Sequence, residues 1–229
     1  MSHQNYILLA ILWIAYCVIH SALISITGTN FLKRALRNRY RFFRVSYNIF
    51  SFLTLIFLVL YSNSEGGKTE PLFTWEGRHL FQYGLIALGA ILLFAAARHY
   101  NMLQFLGVNQ ILQGRSGGGM AESGELDTTG VLGVIRHPWY SGVFLLIWAG
   151  DITLRELIIN LILSAYLIIG TFLEERKLVL EFGDRYREYQ HRVSMFFPLK
   201  WLKTGLSILT RASYSPAEAP PSRSKQNVP

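Results

Sequence analysis

The sequence predicts an all-α, polytopic membrane protein with about five transmembrane helices, a C-terminal helical hairpin and an amphipathic cytosolic helix. Two observations support this fold class: 51% of the 229 residues are hydrophobic, and long uncharged runs alternate with short polar segments. The net charge of +8 is concentrated in particular connections along the chain. That distribution is typical of membrane topology and does not favour nucleic-acid binding.

The first candidate span is the stretch 6–26, which contains no Asp, Glu, Lys or Arg. Its length is close to the roughly 20 apolar residues that cross a bilayer core. It lacks a basic start and a small-residue cleavage site, so we expect a retained span and not a signal peptide. Further uncharged runs lie at 45–64, 80–97, 137–150 and 157–173.

The charged connections predict the orientation of these spans. Residues 30–44 hold six Lys or Arg and no acid, so the positive-inside rule places this connection in the cytosol. From Glu174 to the end there are ten Lys or Arg and six acids, which places the C-terminus on the same side. With an odd number of spans, the N-terminus is then outside.

Three parts are predicted along the chain: a three-span membrane bundle (1–97), a core with a loop, a two-helix hairpin and an amphipathic helix (98–211), and a disordered proline-rich tail (212–229). Pro138 is expected at the first position of the fourth helix, where its missing N–H has no helical partner. The glycine cluster 117–119 lacks the Lys-Ser/Thr of a phosphate-binding loop, and we interpret it as a flexible loop.

The amphipathic helix is predicted from apolar residues that recur at steps of three or four. They are Leu178, Phe182, Tyr186, Tyr189 and Val193. Glu181 with Arg185, and Glu188 with Arg192, stand four residues apart, which favours ion pairs on the solvated face.

Two polar clusters carry the candidate chemistry. Arg136-His137-Pro138-Trp139-Tyr140 stands where the fourth helix begins, and Glu174-Glu175 stands where the fifth span ends. Anchoring at the membrane interface is one interpretation of the first cluster, because Arg, Trp and Tyr are common there. Since the two spans form a hairpin, however, both clusters are expected to meet in one pocket at the cytosolic membrane edge.

In combination these motifs resemble the integral-membrane methyltransferases, a family that includes isoprenylcysteine carboxyl methyltransferase, phospholipid N-methyltransferases and bacterial thiol methyltransferases. The resemblance covers roughly the last 100 ordered residues and is specific as an ordered set. Its members are Gly130-Val131, Arg136 to Gly142, Glu174-Glu175-Arg176, Phe182-Gly183, Tyr186, Tyr189, Val193 and Pro198.

The resemblance implies a cytosol-facing site for S-adenosyl-L-methionine, whose sulfonium, zwitterion and adenine suit carboxylate, imidazole and aromatic partners. Arg136 is the candidate catalytic residue, as the partner of a substrate or cofactor anion. No metal is expected. The cofactor-binding residues implied by the family are His137, Pro138, Trp139, Tyr140, Glu174, Gln110, Glu125, Leu126 and Asp127.

Departures from the family pattern bear on the methyl acceptor. The carboxyl methyltransferases carry an arginine four residues before the first acid, where this chain has Gly170, and a tyrosine where it has Leu132. A small or lipophilic acceptor, a thiol or a lipid, is therefore favoured over a prenylcysteine carboxylate. The stretch 105–110 is similar to a segment of the methanethiol methyltransferases, a branch that also suggests a bacterial inner membrane.

Two other classes of function remain open from the sequence. A non-enzymatic membrane protein could retain the methyltransferase fold, and a transporter is disfavoured because no span carries paired interior charges. The polar residues His20 and Asn48 lie within predicted spans. Hydrogen bonding between helices is their expected role, with a substrate tunnel as the alternative. The expected partners are the lipid bilayer and a small acceptor, with no nucleic acid.

Overall fold

The structure is a computed structural model that describes residues 3–64, 70–113 and 126–204. Its α-helices run in the order α1 His3–Ile24, α2 Ile26–Leu36, α3 Phe43–Ser64, α4 His79–Ala97, α5 Met102–Leu106, α6 Val108–Gln113, α7 Pro138–Trp148, α8 Leu154–Phe182 and α9 Asp184–Arg192. Short 3-10 helices occupy Arg37–Phe42 and Gly130–Gly133. The predicted all-α class is confirmed. The glycine cluster and the tail lie outside the described residues.

Four helical stretches are long and apolar enough to cross a membrane: His3–Ile24, Ile26–Ser64, His79–Ala97 and Leu154–Phe182. Large apolar side chains on α1, α3 and α4 point outwards, as expected for surfaces that face lipid. The fourth predicted span differs from expectation because α7 has only 11 helical residues. The chain leaves the helix at Ala149 and reaches α8 through the non-helical residues 149–153.

Helices α4 and α7 pack against each other through two glycines. A Cβ atom added to Gly142 would lie 2.9 Å from the Gly89 carbonyl oxygen, and one added to Gly89 would lie 2.9 Å from Cγ of Leu146. Small residues allow such close backbone approach between helices in a membrane. Pro138 is the first residue of α7, as predicted.

Helix α1 packs between α3 and α8, and its polar contacts show which ends meet. Nε1 of Trp13 donates to Oγ of Ser62 near the end of α3, and the Arg155 guanidinium at the start of α8 donates to the Ser62 carbonyl. His20, near the end of α1, contacts Ser51 in the first half of α3. Helix α3 therefore runs antiparallel to both α1 and α8, and α1 and α8 run in the same direction.

The bundle has two distinct ends. One carries the backbone bridge between Phe73 and Ile152 and the Trp75 amide that donates to Asp151. The other, here called the site end, carries the basic connection after α1, the start of α7, the end of α8, and α9. The predicted alternation of loops agrees with this arrangement, while the assignment of the site end to the cytosol stays a prediction.

The C-terminal region contains two helices where one amphipathic helix was predicted. Helix α8 continues past the membrane-spanning part to Phe182 and stops at Gly183, whose φ of +59° is a left-handed conformation that favours glycine. The predicted apolar face still forms one cluster: Tyr186, Tyr189 and Val193 pack with Leu126, Leu178, Val179 and Phe182. The break places Glu181 and Arg185 on different helices, so the i,i+4 spacing of that predicted pair does not apply. Arg192 and Glu188 do pair, at 3.8 Å.

Candidate active site

The backbone before α7 is held by the segment after α9. Ile135 and Ser194 form an isolated parallel bridge, the Arg136 amide donates to the Ser194 carbonyl at 2.8 Å, and the His137 amide donates to the Met195 carbonyl at 3.1 Å. The Ser141 hydroxyl adds a bond to the Phe196 carbonyl at 2.9 Å. The first turn of α7 is thereby fixed on both sides.

Arg136 is buried, and its guanidinium meets protein groups in every contact that the structure shows. Its Nε donates to Oε1 of Glu175 at 2.7 Å, and Nη2 lies 2.6 Å from the same oxygen. Nη1 donates to the carbonyls of Gln190 and Val193. The anion that Arg136 meets is thus the second acid of the pair, and the side chain ties the start of α7 to α8 and α9.

Glu175 is the hub of this arrangement, with a side chain that is 8% exposed. Besides Arg136, its carboxylate accepts from Nε2 of His137 at 3.1 Å, from the Tyr186 hydroxyl at 3.4 Å and from Nε2 of Gln190 at 2.8 Å. Sequence reasoning drew attention to the acid pair but selected Glu174 alone. The available signal was the second acid itself, which is the next residue along the helix and therefore points to a different side of it.

Glu174 faces the other side of His137, and its carboxylate has fewer hydrogen-bond partners than that of Glu175. Its carboxylate lies beside the Tyr140 hydroxyl, close enough for the two groups to interact electrostatically. Its Oε2 is buried and has no hydrogen-bond partner among the described residues, because Nδ1 of His137 lies 3.9 Å away. The His137 and Tyr140 rings stand edge to face with centroids 5.6 Å apart. The three residues predicted to meet at the hairpin mouth therefore do meet.

Tyr100, which follows α4, is a member of this site that the sequence did not suggest. Burial, and then the nearby carboxylates of Glu174 and Asp127, raises the pKa of Tyr100 to about 12. A hydroxyl that stays protonated can donate a hydrogen bond to a ligand. No motif points to Tyr100, because it reaches the site only through the packing of α4 beside α7.

Asp127 lies at the edge of the same region and pairs with His99, Nδ1 to Oδ2, at 2.7 Å. Burial raises the pKa of the Asp127 carboxyl, but hydrogen bonds from the Thr129 amide, the His99 ring and the Thr129 hydroxyl outweigh it, so the pKa lies below its ordinary value. A cavity of about 620 Å³ along the last turns of α4 has His99, Gly130 and Val131 in its lining.

The remaining predicted site residues are placed less centrally. Leu126 packs against the α9 cluster, and the Trp139 ring lies 6.4 Å from that of Phe105 in α5. Gln110 is buried on α6, where its amide donates to the Gln104 carbonyl at 3.0 Å and its Oε1 has no hydrogen-bond partner among the described residues. Pro138 is fully buried. Glu125 lies outside the described residues.

The combination of an unpaired carboxylate oxygen with tyrosine and histidine rings suits an organic cation. A buried carboxylate oxygen without a hydrogen bond is costly, and a cationic ligand would remove that cost. Aromatic faces attract cations as well. Among the described residues, no group of three or more His, Cys, Asp or Glu side chains is arranged to hold a metal ion.

The known proteins to which this chain is similar share one name, methanethiol S-methyltransferase. The chain is 42% identical over 66 residues to a methanethiol S-methyltransferase of Pseudomonas deceptionensis, which is 28% of this chain and 25% of the relative. It is 32% identical over 111 residues to methanethiol S-methyltransferase 1 of Bradyrhizobium diazoefficiens, 48% of this chain and 39% of the relative. A methanethiol S-methyltransferase of Crocosphaera subtropica is 27% identical over 161 residues, 68% of this chain and 60% of the relative.

These similarities confirm the predicted resemblance to the methanethiol methyltransferase branch of the integral-membrane methyltransferases. In the three relatives described, the aligned region covers from 25% to 60% of the relative's own length. No family model matches the chain, and no solved structure matches it.

Proposed function

We propose that this protein is a membrane-embedded methyltransferase that uses S-adenosyl-L-methionine and transfers its methyl group to a small or lipophilic thiol. The similarity to proteins named methanethiol S-methyltransferase supports the reaction class and the acceptor. The apolar helices support the location in a membrane. The proposal adds the cofactor, the site residues and the orientation.

The observation that carries the proposal is the incomplete hydrogen bonding of Glu174 beside His137 and Tyr140. Its buried Oε2 has no hydrogen-bond partner among the described residues, although the adjacent Glu175 is paired. The residues fit S-adenosylmethionine, since a carboxylate and aromatic rings complement a ligand with a sulfonium and an ammonium. When bound, this cofactor supplies an electrophilic methyl group. Glu174, His137, Tyr140 and Tyr100 are the residues that would hold it.

Arg136 and Glu175 have a different task in this proposal. Their ion pair, the two backbone carbonyls on Arg136 and the bond from His137 to Glu175 fix the imidazole and the first turn of α7. Methyl transfer depends largely on orientation and desolvation of the reacting groups. We therefore propose that Arg136 acts by positioning His137, through Glu175.

A thiol acceptor is favoured by the surroundings of Gly170, the position of the arginine in carboxyl methyltransferases. A Cβ added to Gly170 would meet no atom of the described residues within 4 Å, so none of their cations stands within that distance. A substrate carboxylate brought to a poorly solvated site without a cation would lose hydration with little return. A thiol avoids that cost, and its thiolate is a good nucleophile.

Competition between acceptors tests this proposal. Detergent-purified protein with labelled cofactor should methylate ethanethiol at least about ten times faster than a farnesylcysteine carboxylate, with Glu174→Gln as the comparison in which cofactor binding is weakened. Preferential formation of a base-labile methyl ester would contradict the thiol assignment. Failure to methylate any acceptor while purified protein also fails to bind the cofactor would contradict the reaction class.

The orientation is tested separately by cysteine labelling in a Cys17→Ser background. Arg37→Cys lies in the basic connection at the site end, and Glu76→Cys lies at the opposite end of the bundle. A membrane-impermeant reagent added to intact cells should label Glu76→Cys only, and Arg37→Cys only after the cells are opened. The reverse pattern would place the site outside the cytosol.

A further inference from the structure

A second polar cluster lies inside the bundle, between α1, α3 and α8, at the site end. His20 of α1 stands at its centre, and three tyrosines surround the imidazole: Tyr16, Tyr47 and Tyr166. The three ring centroids are 5.7, 5.1 and 6.1 Å from that of His20. Polar groups within membrane helices are costly and therefore mark functional positions.

The hydrogen bonds of the imidazole all involve neutral hydroxyl groups. Oγ of Ser51 lies 3.2 Å from Nδ1, and the Tyr47 hydroxyl lies 2.9 Å from Nδ1 and 2.7 Å from Nε2. Tyr47 and Ser51 are themselves buried. On the α8 side, the Tyr166 and Ser21 hydroxyls lie close to each other.

No hydrogen bond or ion pair of the described residues joins a carboxylate to His20. The titratable groups near it are Tyr16 and Cys17 on α1, Tyr47 on α3 with Arg44 in electrostatic range, and Tyr166 on α8. A neutral imidazole keeps one ring nitrogen as a proton acceptor. With only hydroxyls as partners, that nitrogen remains available to take a proton.

This cluster borders on the candidate active site through one pair of tyrosines. Tyr166 is in electrostatic range of Tyr140, whose hydroxyl lies beside the Glu174 carboxylate. Tyr166 also contacts His20 edge to face. A ligand held between these two tyrosines would thus reach the His20 cluster on one side and the Glu174 region on the other.

We propose that the His20 cluster is the acceptor site and that His20 takes the proton of the acceptor thiol through the Tyr47 hydroxyl. This inference rests on the proposed function. The thiol gives its proton to Tyr47 as Tyr47 passes its own to Nε2 of His20. The acceptor sulfur then bonds to the methyl carbon, the bond from that carbon to the donor sulfonium breaks, and its electron pair stays on the donor sulfur. The proton leaves His20 to water after the product departs.

The need for a base follows from the chemistry of small thiols. An alkanethiol is largely protonated at neutral pH, and the thiolate is the nucleophile. A positioned general base contributes typically about 10² to 10⁴ in rate. The tyrosine hydroxyls around His20 can also donate to the thiolate as it forms, which reduces the cost of that charge inside the bundle.

The test compares two acceptors that share a carbon skeleton but differ in acidity, ethanethiol and 2,2,2-trifluoroethanethiol. His20→Gln retains hydrogen-bonding groups but cannot take the proton, and Tyr47→Phe removes the relay. Both variants should lose at least about tenfold more rate on ethanethiol than on the more acidic thiol, which ionises without help. His79→Gln, an exposed histidine near the opposite end of the bundle, is the control and should lose nothing.

A readout without turnover uses the fluorine resonance of trifluoroethanethiol and protein free of cofactor. Bound to the parent, the thiol should ionise at lower pH than in solution, and His20→Gln should abolish that shift while His79→Gln preserves it. Equal losses on both thiols with an unchanged fluorine titration would overturn the proposal and leave His20 a structural link between helices. If the variants lose activity on ethanethiol but still bind the cofactor like the parent, the loss lies in the acceptor step. Such a result separates a failure of this inference from a failure of the proposed function.

Discussion

Glu174 and Glu175 are neighbours on α8, yet their surroundings differ in kind. Glu175 accepts from Arg136, His137, Tyr186 and Gln190, and its side chain is 8% exposed. Glu174 is 23% exposed and retains a buried oxygen with no hydrogen-bond partner among the described residues. Glu175, whose carboxylate oxygens are all hydrogen-bonded, stabilises the fold, whereas Glu174 retains an oxygen that a ligand can bind. His137 lies between them and links the two regions.

The largest effect on stability is expected from removing the hydrogen-bonded carboxylate of Glu175. Glu175→Ala leaves the buried Arg136 guanidinium without its anion, and breaking a buried ion pair costs about 3–5 kcal/mol. Thermal unfolding of the detergent-purified protein should show a large loss of stability. Glu174→Gln should change stability by about 1 kcal/mol or less, since the amide keeps the size and most of the hydrogen-bonding capacity of the carboxyl group.

A double variant sharpens this difference. Replacing both partners by apolar residues, Arg136→Met with Glu175→Leu, removes the unpaired charge and should recover much of the stability lost in Glu175→Ala. The fixed position of His137 is not restored by these residues, so cofactor affinity should remain low. Recovery of both properties together would contradict the positioning role of the ion pair.

A smaller effect on stability is expected from a substitution in the contact between α4 and α7, which supports the residues around Glu174. Gly142→Ala places a methyl group 2.9 Å from a backbone oxygen, which cannot move aside as a side chain can. Overpacking of this kind costs about 1–3 kcal/mol. It should displace Tyr140 and weaken cofactor binding as well.

Gly84→Ala is the matched control for that substitution. It lies on α4, the helix that packs against α7, but a Cβ there would meet no atom of the described residues within 4 Å. Its unfolding temperature should equal or slightly exceed that of the parent, because alanine favours the helix more than glycine does, and its cofactor affinity should equal that of the parent. If Gly142→Ala behaves like Gly84→Ala, the helices do not approach as closely as described.

The smallest effect on stability is expected for Asp127, which lies at the edge of the region around Glu174. Because its pKa lies below the ordinary value of 3.8, its contribution to stability is present above that pH and is lost as the pH falls through the folded-state value. Asp127→Asn should therefore be less stable than the parent at pH 7, by about 1 kcal/mol or less for this half-exposed pair. The difference should close below about pH 3.8, as measured by thermal unfolding at several pH values.

The features that sequence reasoning predicted depend on local pattern. Uncharged runs predicted the long helices, Pro138 predicted the start of α7, and the steps of three or four from Leu178 to Val193 predicted a face that does pack together. The meeting of His137 with Glu174 followed from the hairpin, because antiparallel neighbours bring the start of one helix to the end of the other.

What the sequence could not predict depends on which way a side chain turns and where the backbone bends. Arg136 turns to Glu175 and two carbonyls of the C-terminal segment, a contact 39 residues along the chain that no spacing rule specifies. The helix break at Gly183 interrupts a periodicity that continues on both sides. Tyr100 enters the site only through the α4 to α7 packing.

The affinity of purified Glu174→Gln for radiolabelled S-adenosylmethionine tests the central claim most directly. Glu181→Gln, an exposed glutamate on the same helix, is the matched control. Loss of a charged partner for a buried cation corresponds to about 1.5–3 kcal/mol, or roughly ten- to a hundredfold. The account predicts that loss for Glu174→Gln, with unfolding temperature unchanged and the control binding like the parent. Parental affinity in Glu174→Gln would show that the Glu174 carboxylate is not part of the cofactor site.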